Sequence, residues 1–538
     1  MKQKYTVLLS VLLLLFVQFS FAQEKLVTGN ITDGNGVPLP GVNIIIKNTN
    51  SGTQSDFDGN YSINSTQGST LVYSYIGFKN QELLVGASNT MNVSLVEGSV
   101  LQEVVITGYA SNKRDVLTSA VSLITSAEIE QLVSTTSVDN LIQGKAAGVQ
   151  VTAANGKPGA TAFVRIRGTT SLTAGASSPL YIVDGAPLDE QDLNAISSNE
   201  IESITILKDA ATTSIYGSRG SNGVVVITTK KGRKNKDASI KASSRYGVTS
   251  QVANNFSMMN AEQLLNFEAE MYALGVGQSN LPGVNATPEE KAFLIANQVD
   301  WQDRILRQGI VQSNNVSFSG GEEKVDYYFS LGHDRNTGII DGVVGFERLN
   351  GRLNVNFEAK SWLDVGASVA YSRATSDEPR DRNNVQNPFR AIFDYNPYET
   401  EFILDEFGNV VLDENGDPLY NFGSTGFLVT EAIATTPEEE IQNLTFFSTY
   451  ATVKFSDKLT YRAQFSLNHE NFRREYYVEP GNRLDFFVGD PDFPGIKTDN
   501  GFQEVDFTMS NTVNFNHATD THSVNAYGLF EFNQNETN

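Results

Sequence analysis

From about Gly232 onward the chain alternates apolar with polar residues, and this pattern restricts it to few folds. Val325, Tyr327, Phe329 and Leu331 alternate with Asp326, Tyr328, Ser330 and Gly332. Leu353, Val355 and Phe357 alternate with Arg352, Asn354, Asn356 and Glu358, and Leu363, Val365, Ala367, Val369 and Tyr371 with Asp364, Gly366, Ser368 and Ser372. A period of two places each set on one face of a strand. Roughly ten such strands, each of roughly ten residues, are expected from about Ser239. Tight turns fall around Lys360-Ser361, Ser456-Asp457-Lys458 and Ala518-Thr519-Asp520, while long inserts run over about 374–443 and 473–502. Short turns on one rim and long loops on the other are the layout of a transmembrane barrel; a soluble sandwich is the alternative for alternating strands.

The rest of the composition bears on compartment. Lys2 and Lys4 precede an apolar run, Val7–Phe19, which Ser20-Phe21-Ala22 closes with a small residue. This reads as a cleaved leader over 1–22, too short for a membrane anchor. Beyond it there is no run of 18 apolar residues, so a chain that crosses a membrane must do so as a closed barrel. Cysteine is absent, which removes disulfides, thiolate metal sites and cysteine nucleophiles together. A net charge of −23 argues against nucleic acid as a partner.

Ahead of the alternating region lie smaller modules. Residues 23–98 read as a β-sandwich. Val27–Ile31, Val42–Lys47 and Leu71–Ile76 are strands, and Asp33–Gly36, Pro38–Gly41 and Phe57–Tyr61 are turns. Residues 99–112 are a β-prone connector. Residues 113–232 read as an α/β unit in which Ser126 caps a helix carrying Ile129 and Leu132, and Val138–Ala147 is a second helix. Strands follow at 163–167, 179–183, 201–207 and 223–229, with a short helix from Asp209 to Gly217. Residues 233–538 are the barrel strands. Eight to ten strands enclose too little space for a plug of about 120 residues, whose radius of gyration is near 14 Å; plugged lumens occur at about 22 strands. The chain is therefore expected to be the N-terminal part of a longer protein.

The stretch Gly29–Thr49, with Asp56–Tyr61 and Tyr75–Phe78, resembles the carboxypeptidase regulatory-like domain, which is not a peptidase. Further on come Arg165-Ile166-Arg167-Gly168, then Pro179–Val183 with Asp184-Gly185. Ile204–Leu207 with Lys208-Asp209 follows, then Tyr216-Gly217-Ser218-Arg219-Gly220 and Gly223–Thr229. Together these closely resemble the plug of SusC/RagA-type TonB-dependent outer-membrane transporters, and the modules stand in that family's order. The implied fold is mainly β: a sandwich, a small α/β plug, and the first strands of a large antiparallel transmembrane barrel. The family's terminal aromatic strand is not present at Asn533–Asn538. In position and composition Glu103-Val104-Val105-Ile106-Thr107-Gly108-Tyr109 looks like the TonB box, an extended segment that adds a strand to a partner's edge; a plain linker strand is the alternative. The resemblance implies TonB and a SusD-type lipoprotein as partners, contact with outer-membrane lipid, and import of an oligosaccharide or peptide. It implies no enzyme and no cofactor. An adhesion protein that binds without transport and a secreted hydrolase are the competing classes.

Other features give no chemistry. Arg165, Arg167, Lys208 and Arg219 can pair with carboxylates on the barrel's inner wall, with surface solvation as the alternative. Gly217, Gly220 and Gly223 permit tight turns, and Asp184-Gly185 is first a hairpin turn. Their spacing is no dinucleotide fingerprint, and no phosphate-binding loop occurs. His333, His469, His517 and His522 have no metal-ligand spacing. Asp413–Asp417 begins like a calcium loop but has Pro418 where Gly is required and Ser424 where Glu is required. No residue is assigned to the ligand. Phe389, Tyr395 and Tyr398 in a long insert either stack on sugars or partners or pack within the loop.

Overall fold

The computed structural model describes residues 24–538 apart from 35, 48, 50, 76–77, 97–103, 107–110, 114–120, 132–136, 154–155, 172, 174–176, 253–256, 378–386, 424–425 and 520–521. The leader lies outside the described residues. The chain forms two compact units.

The first is the sandwich. Glu24–Thr32 pairs with Asn60–Thr66 and Val93–Ser94, and a second sheet runs in the order 52–54, 43–46, 70–74, 81–84. Val27, Ile31, Val42, Ile44, Leu71 and Leu95 fill the space between the sheets. The two buried phenols, Tyr61 and Tyr73, join oxygen to oxygen at 2.7 Å, so neither loses its hydrogen bond on burial.

The second unit contains the plug and the barrel strands. The plug sheet runs 121–125, 201–207, 224–229, 180–183, 186–188, with only the 180–183/224–229 pair parallel. Ile204, Ile206, Val225 and Ile227 pack on one side of it, and Ile182, Leu207, Tyr216, Val224 and Val226 on the other. Strand 224–229 is buried throughout, which is why its sequence is continuously apolar. The first helix, Ser126–Glu130, is capped by Thr125 rather than Ser126: the Glu128 carboxylate reaches back to the Thr125 N–H at 2.9 Å. The second is shorter than expected, Asp139–Ile142, because Gly144 and Gly148 take positive φ and end it.

Nine antiparallel strands follow in chain order: β1 (Lys236–Thr249), β2 (Gly309–Gly321), β3 (Val325–Asn336), β4 (Phe346–Lys360), β5 (Leu363–Asp377), β6 (Glu438–Lys454), β7 (Leu459–Val478), β8 (Ile496–Ala518) and β9 (Ser523–Thr537). Register aligns Phe318, Phe329, Leu353, Val369, Phe447, Leu467 and Phe507 in one row across β2–β8. Phe329 is 42% exposed and Leu353 45%, whereas the intervening Ser330 is 0% and Arg352 4% exposed. Apolar residues face out and polar residues face in. A soluble sandwich has the opposite arrangement, so the sheet is built for lipid on its outer side.

The strands are 12–23 residues long, not roughly ten. The long inserts shrink correspondingly to 378–437 and 479–495. A third insert, 250–308, interrupts the alternating pattern between the first two strands and carries helices Ala261–Ala273 and Pro288–Ala296. It packs on the 378–437 insert through Trp301, Ile305, Ile392, Tyr395 and Leu428. Tyr395 and Tyr398 are buried there: the Val429 N–H donates to the Tyr395 hydroxyl at 2.6 Å, and the Tyr398 hydroxyl donates to Glu268 at 2.8 Å. They are packing residues, and only Phe389 remains exposed. Asp413 accepts from the Asn415 and Asp417 N–H groups, both at 2.8 Å, as a polar hairpin turn does.

Candidate functional site

Over the middle of β2–β8 much of the polar face is buried, because the plug lies against it. On β4 the sequence Arg348-Leu349-Asn350-Gly351-Arg352-Leu353-Asn354 puts two arginines and two asparagines on the inner face. Arg348 is fully buried. Its Nη2 donates to Asp334 Oδ2 of β3 at 2.6 Å, and its Nη1 donates to the plug carbonyls of Asn194 and Ile196 at 2.6 and 2.9 Å. The plug's Ser197 hydroxyl donates to the same Asp334 oxygen at 3.2 Å. Arg352 Nε donates to Glu200 Oε2 of the plug at 2.9 Å, and its Nη1 lies 3.7 Å from Asp184 Oδ2. Asn350 Nδ2 donates to the other Glu200 oxygen, and Asn354 Nδ2 donates to Lys230 O at 2.6 Å. Asn199 Nδ2 donates to Ser313 of β2 at 3.0 Å, and Gln464 Nε2 of β7 to Asp184 O at 3.0 Å. Buried charges are tolerated only when paired and hydrogen-bonded, and here each guanidinium meets carboxylate or carbonyl.

Three of the four expected plug cations do something else. Arg167 pairs with Asp209 within the plug. Lys208 Nζ donates to Ser122 Oγ at 2.9 Å and Ala147 O at 3.0 Å, and Arg165 donates to Val164 O at 3.0 Å, all within the plug. Only Arg219 of the four reaches a wall carboxylate, Glu531 on β9. The polarity of the main contact is thus reversed: the cations sit on the wall and the carboxylates on the plug. The reason is local. Arg165 and Lys208 lie near the plug's own strand ends, where carbonyl and hydroxyl acceptors take up their donors.

Asp184-Gly185 makes the turn between 180–183 and 186–188, yet the Asp184 carboxylate also accepts from the Thr229 N–H at 3.1 Å and Oγ1 at 2.6 Å. It therefore serves turn, neighbouring strand and wall arginine together. Gly217, at φ 61 and ψ −146, breaks the turn over Ser214–Gly220, where a side chain would be strained. Tyr216 beside it is core. Gly168, Gly220 and Gly223 lie in turns and close approaches around the same strand ends. Inside the plug Asp139 is fully buried, held by the Tyr181 hydroxyl at 3.2 Å; burial and the nearby Glu190 charge push its carboxyl up to about 7.

In the connector, Val104–Ile106 is a short strand paired with Ser111–Lys113. Glu103, Thr107, Gly108 and Tyr109 lie outside the described residues. Among the described residues no group of histidine or acidic side chains has metal-binding geometry. Glu200, Asp192, Arg348, Asn350, Asn354, Gln464 and Asn468 were not singled out from sequence. Arginines on the inner face of an alternating strand were the available signal, since each requires a counter-charge.

Comparison with known proteins agrees with this architecture. The profile of the TonB-dependent Receptor Plug Domain matches residues 113–224, and that of the CarboxypepD_reg-like domain matches residues 27–106. TonB-dependent receptor P26 of Formosa agariphila is 30% identical over 521 residues, 96% of this chain and 50% of the relative. TonB-dependent receptor SusC of Bacteroides thetaiotaomicron is 35% identical over 344 residues, 62% of this chain and 32% of SusC. The RagAB peptide importer in its open-open state superposes with a TM-score of 0.68 at 26% identity, over 81% of this chain and 49% of that chain. The chain spans about half the length of the Formosa relative. Its relatives are receptors and not enzymes. With a plug seated on an inward-polar, outward-apolar sheet and relatives of this kind along nearly its whole length, the chain belongs to the SusC/RagA type of TonB-dependent receptors.

Proposed function

We propose that the chain acts in TonB-dependent import of a nutrient across the outer membrane. The observation that carries this reading is the buried contact of Arg348 and Arg352 with plug residues 194–200, which stoppers the polar face of a lipid-directed sheet. A plug held by a few discrete polar contacts can be released and reseated; a continuous apolar core could not part without exposing its whole surface to water. The connector 103–109 is the handle. TonB adds to its extended backbone from the periplasm and pulls, transmitting force into the plug. The sandwich is periplasmic, and the long inserts 250–308, 378–437 and 479–495 face outward, where a SusD-type lipoprotein closes over the bound ligand. The ligand class is an oligosaccharide or peptide; the similarity to RagAB, a peptide importer, supports the second.

Val105→Pro tests the handle, because proline removes a main-chain donor from the added strand. Purified TonB periplasmic domain is expected to lose binding to the variant, while the sandwich and plug stay folded by circular dichroism. Undiminished TonB binding would rule out 103–109 as the contact.

A further inference from the structure

Away from the arginines, plug and wall also meet acid to acid. Asp192, in the plug turn Glu190–Ala195, and Glu470 on β7 meet at one shared amide donor; the two are 2% and 5% exposed. Asn468 Nδ2 donates to Asp192 Oδ2 at 3.0 Å. Gln442 Nε2 donates to Glu470 Oε1 at 2.7 Å and reaches Asp192 Oδ1 at 3.5 Å. The remaining charges acting here are also negative: Asp189 from the plug, and Glu504 and Asp506 from β8. In the β7–β8 ladder Glu470 stands opposite Glu504, and Asn468 opposite Asp506, while Asn535 of β9 donates to both β8 acids. Among the described residues, no cation is among the groups that act on Asp192 or Asp189. Asn468 Oδ1 is buried without a partner, so the wall amide beside Asp192 has acceptor capacity to spare and no donor to fill it.

Ionised carboxylates only accept hydrogen bonds, so two carboxyls can be joined by one only while one of them holds a proton. Buried amides supply donors to the pair but do not cancel its charge. We propose that Asp192 and Glu470 share a single proton across the plug–wall contact, so that seating of the plug is proton-linked. On seating, one carboxylate oxygen takes a proton from a hydronium ion, forming an O–H bond as the hydronium O–H bond breaks to leave water; when that proton returns to water two buried negative charges face each other and the plug is driven off β7. Burial, then the Glu470 charge, push the Asp192 carboxyl well above the ordinary range. The seated form therefore binds a proton that the unseated form gives up, and seating weakens as pH rises. The device concerns plug and wall alone and stands whether or not the protein imports a nutrient.

The absence of cysteine allows a single reporter thiol. Ala195, buried at the end of the same turn among Ser372 and Leu444 of the wall, suits Ala195→Cys. The receptor in outer-membrane vesicles is labelled with a maleimide at pH 6 and pH 9. Each rate is divided by the rate in an Asp192→Asn background at the same pH, which removes the thiol's own titration. The ratio is expected to rise at least about tenfold between the two pH values, the effect of one pKa unit of differential protonation. The same rise is expected with Glu470→Gln as the reference. A ratio that stays flat overturns the proposal. So does rapid labelling of both neutral variants at pH 6, because an uncharged isostere on either side should keep the plug seated.

Discussion

Arg352 shows how much one side chain decides here. It is nearly fully buried on β4 and is answered by Glu200 and Asp184, both from the plug and more than 150 residues away in the case of Glu200. A buried pair adds little net stability compared with an apolar isostere, but removing one partner leaves an uncompensated buried charge. Arg352→Met should therefore weaken seating of the plug by about 3–5 kcal/mol, because Glu200 loses its charged partner and keeps the neutral Asn350 and Ser330 donors. Limited proteolysis of the plug in detergent would report this as faster cleavage in 113–232 with the barrel strands intact. The double variant Arg352→Met/Glu200→Gln should recover part of the loss, since both charges are then gone. No recovery would show that the arginine acts through packing alone.

At the level of the strand, the governing quantity is the environment of each face. Leu353 lies in the outward apolar row between Phe329 and Val369. Leu353→Arg should cost about 2–4 kcal/mol if that row faces the middle of a bilayer, and nearly nothing if the face is in water. Urea unfolding in lipid vesicles against unfolding in detergent-free buffer after refolding separates these cases. The same reasoning explains the strand lengths. A 15-residue strand such as β5 is about 50 Å long, well beyond the roughly 30 Å of a hydrocarbon core even when tilted. Its outer end carries Arg373, Thr375 and Asp377 on the outward face, level with Leu349, Glu347 and the chain beyond. Beyond the lipid both faces are polar, the alternation disappears, and the ladder continues unseen in the sequence.

On the scale of the whole molecule, the outward apolar row and the buried polar face predict behaviour that no soluble sandwich shares. Extracted from outer membrane without boiling, the receptor should migrate differently on a denaturing gel from the boiled sample, because a closed barrel resists detergent until heated. Identical migration, with recovery in the soluble fraction, would contradict a membrane-embedded sheet. The acid pair of Asp192 and Glu470 acts at this scale too, since it sets how firmly one part of the unit holds the other as pH changes.

Local periodicity determined the most from sequence alone. Alternation at 325–332, 352–358 and 363–372 settled strand and face, because a period of two is carried by neighbouring residues and needs no knowledge of partners; the choice of barrel over sandwich needed the outward exposure of the apolar row. The plug's strands were legible as short apolar runs, and its Asp184-Gly185 turn from local turn chemistry. What only the tertiary structure decided is non-local. That Arg348 caps the carbonyls of Asn194 and Ile196, that Glu200 rather than Arg165 or Lys208 bridges to the wall, and that Tyr395 and Tyr398 are buried between two inserts all depend on contacts between residues roughly 100 or more positions apart. No residue's neighbours in sequence encode that distance. Register and docking fix it, and they are set when the polar face of the sheet finds the one surface able to satisfy its buried charges.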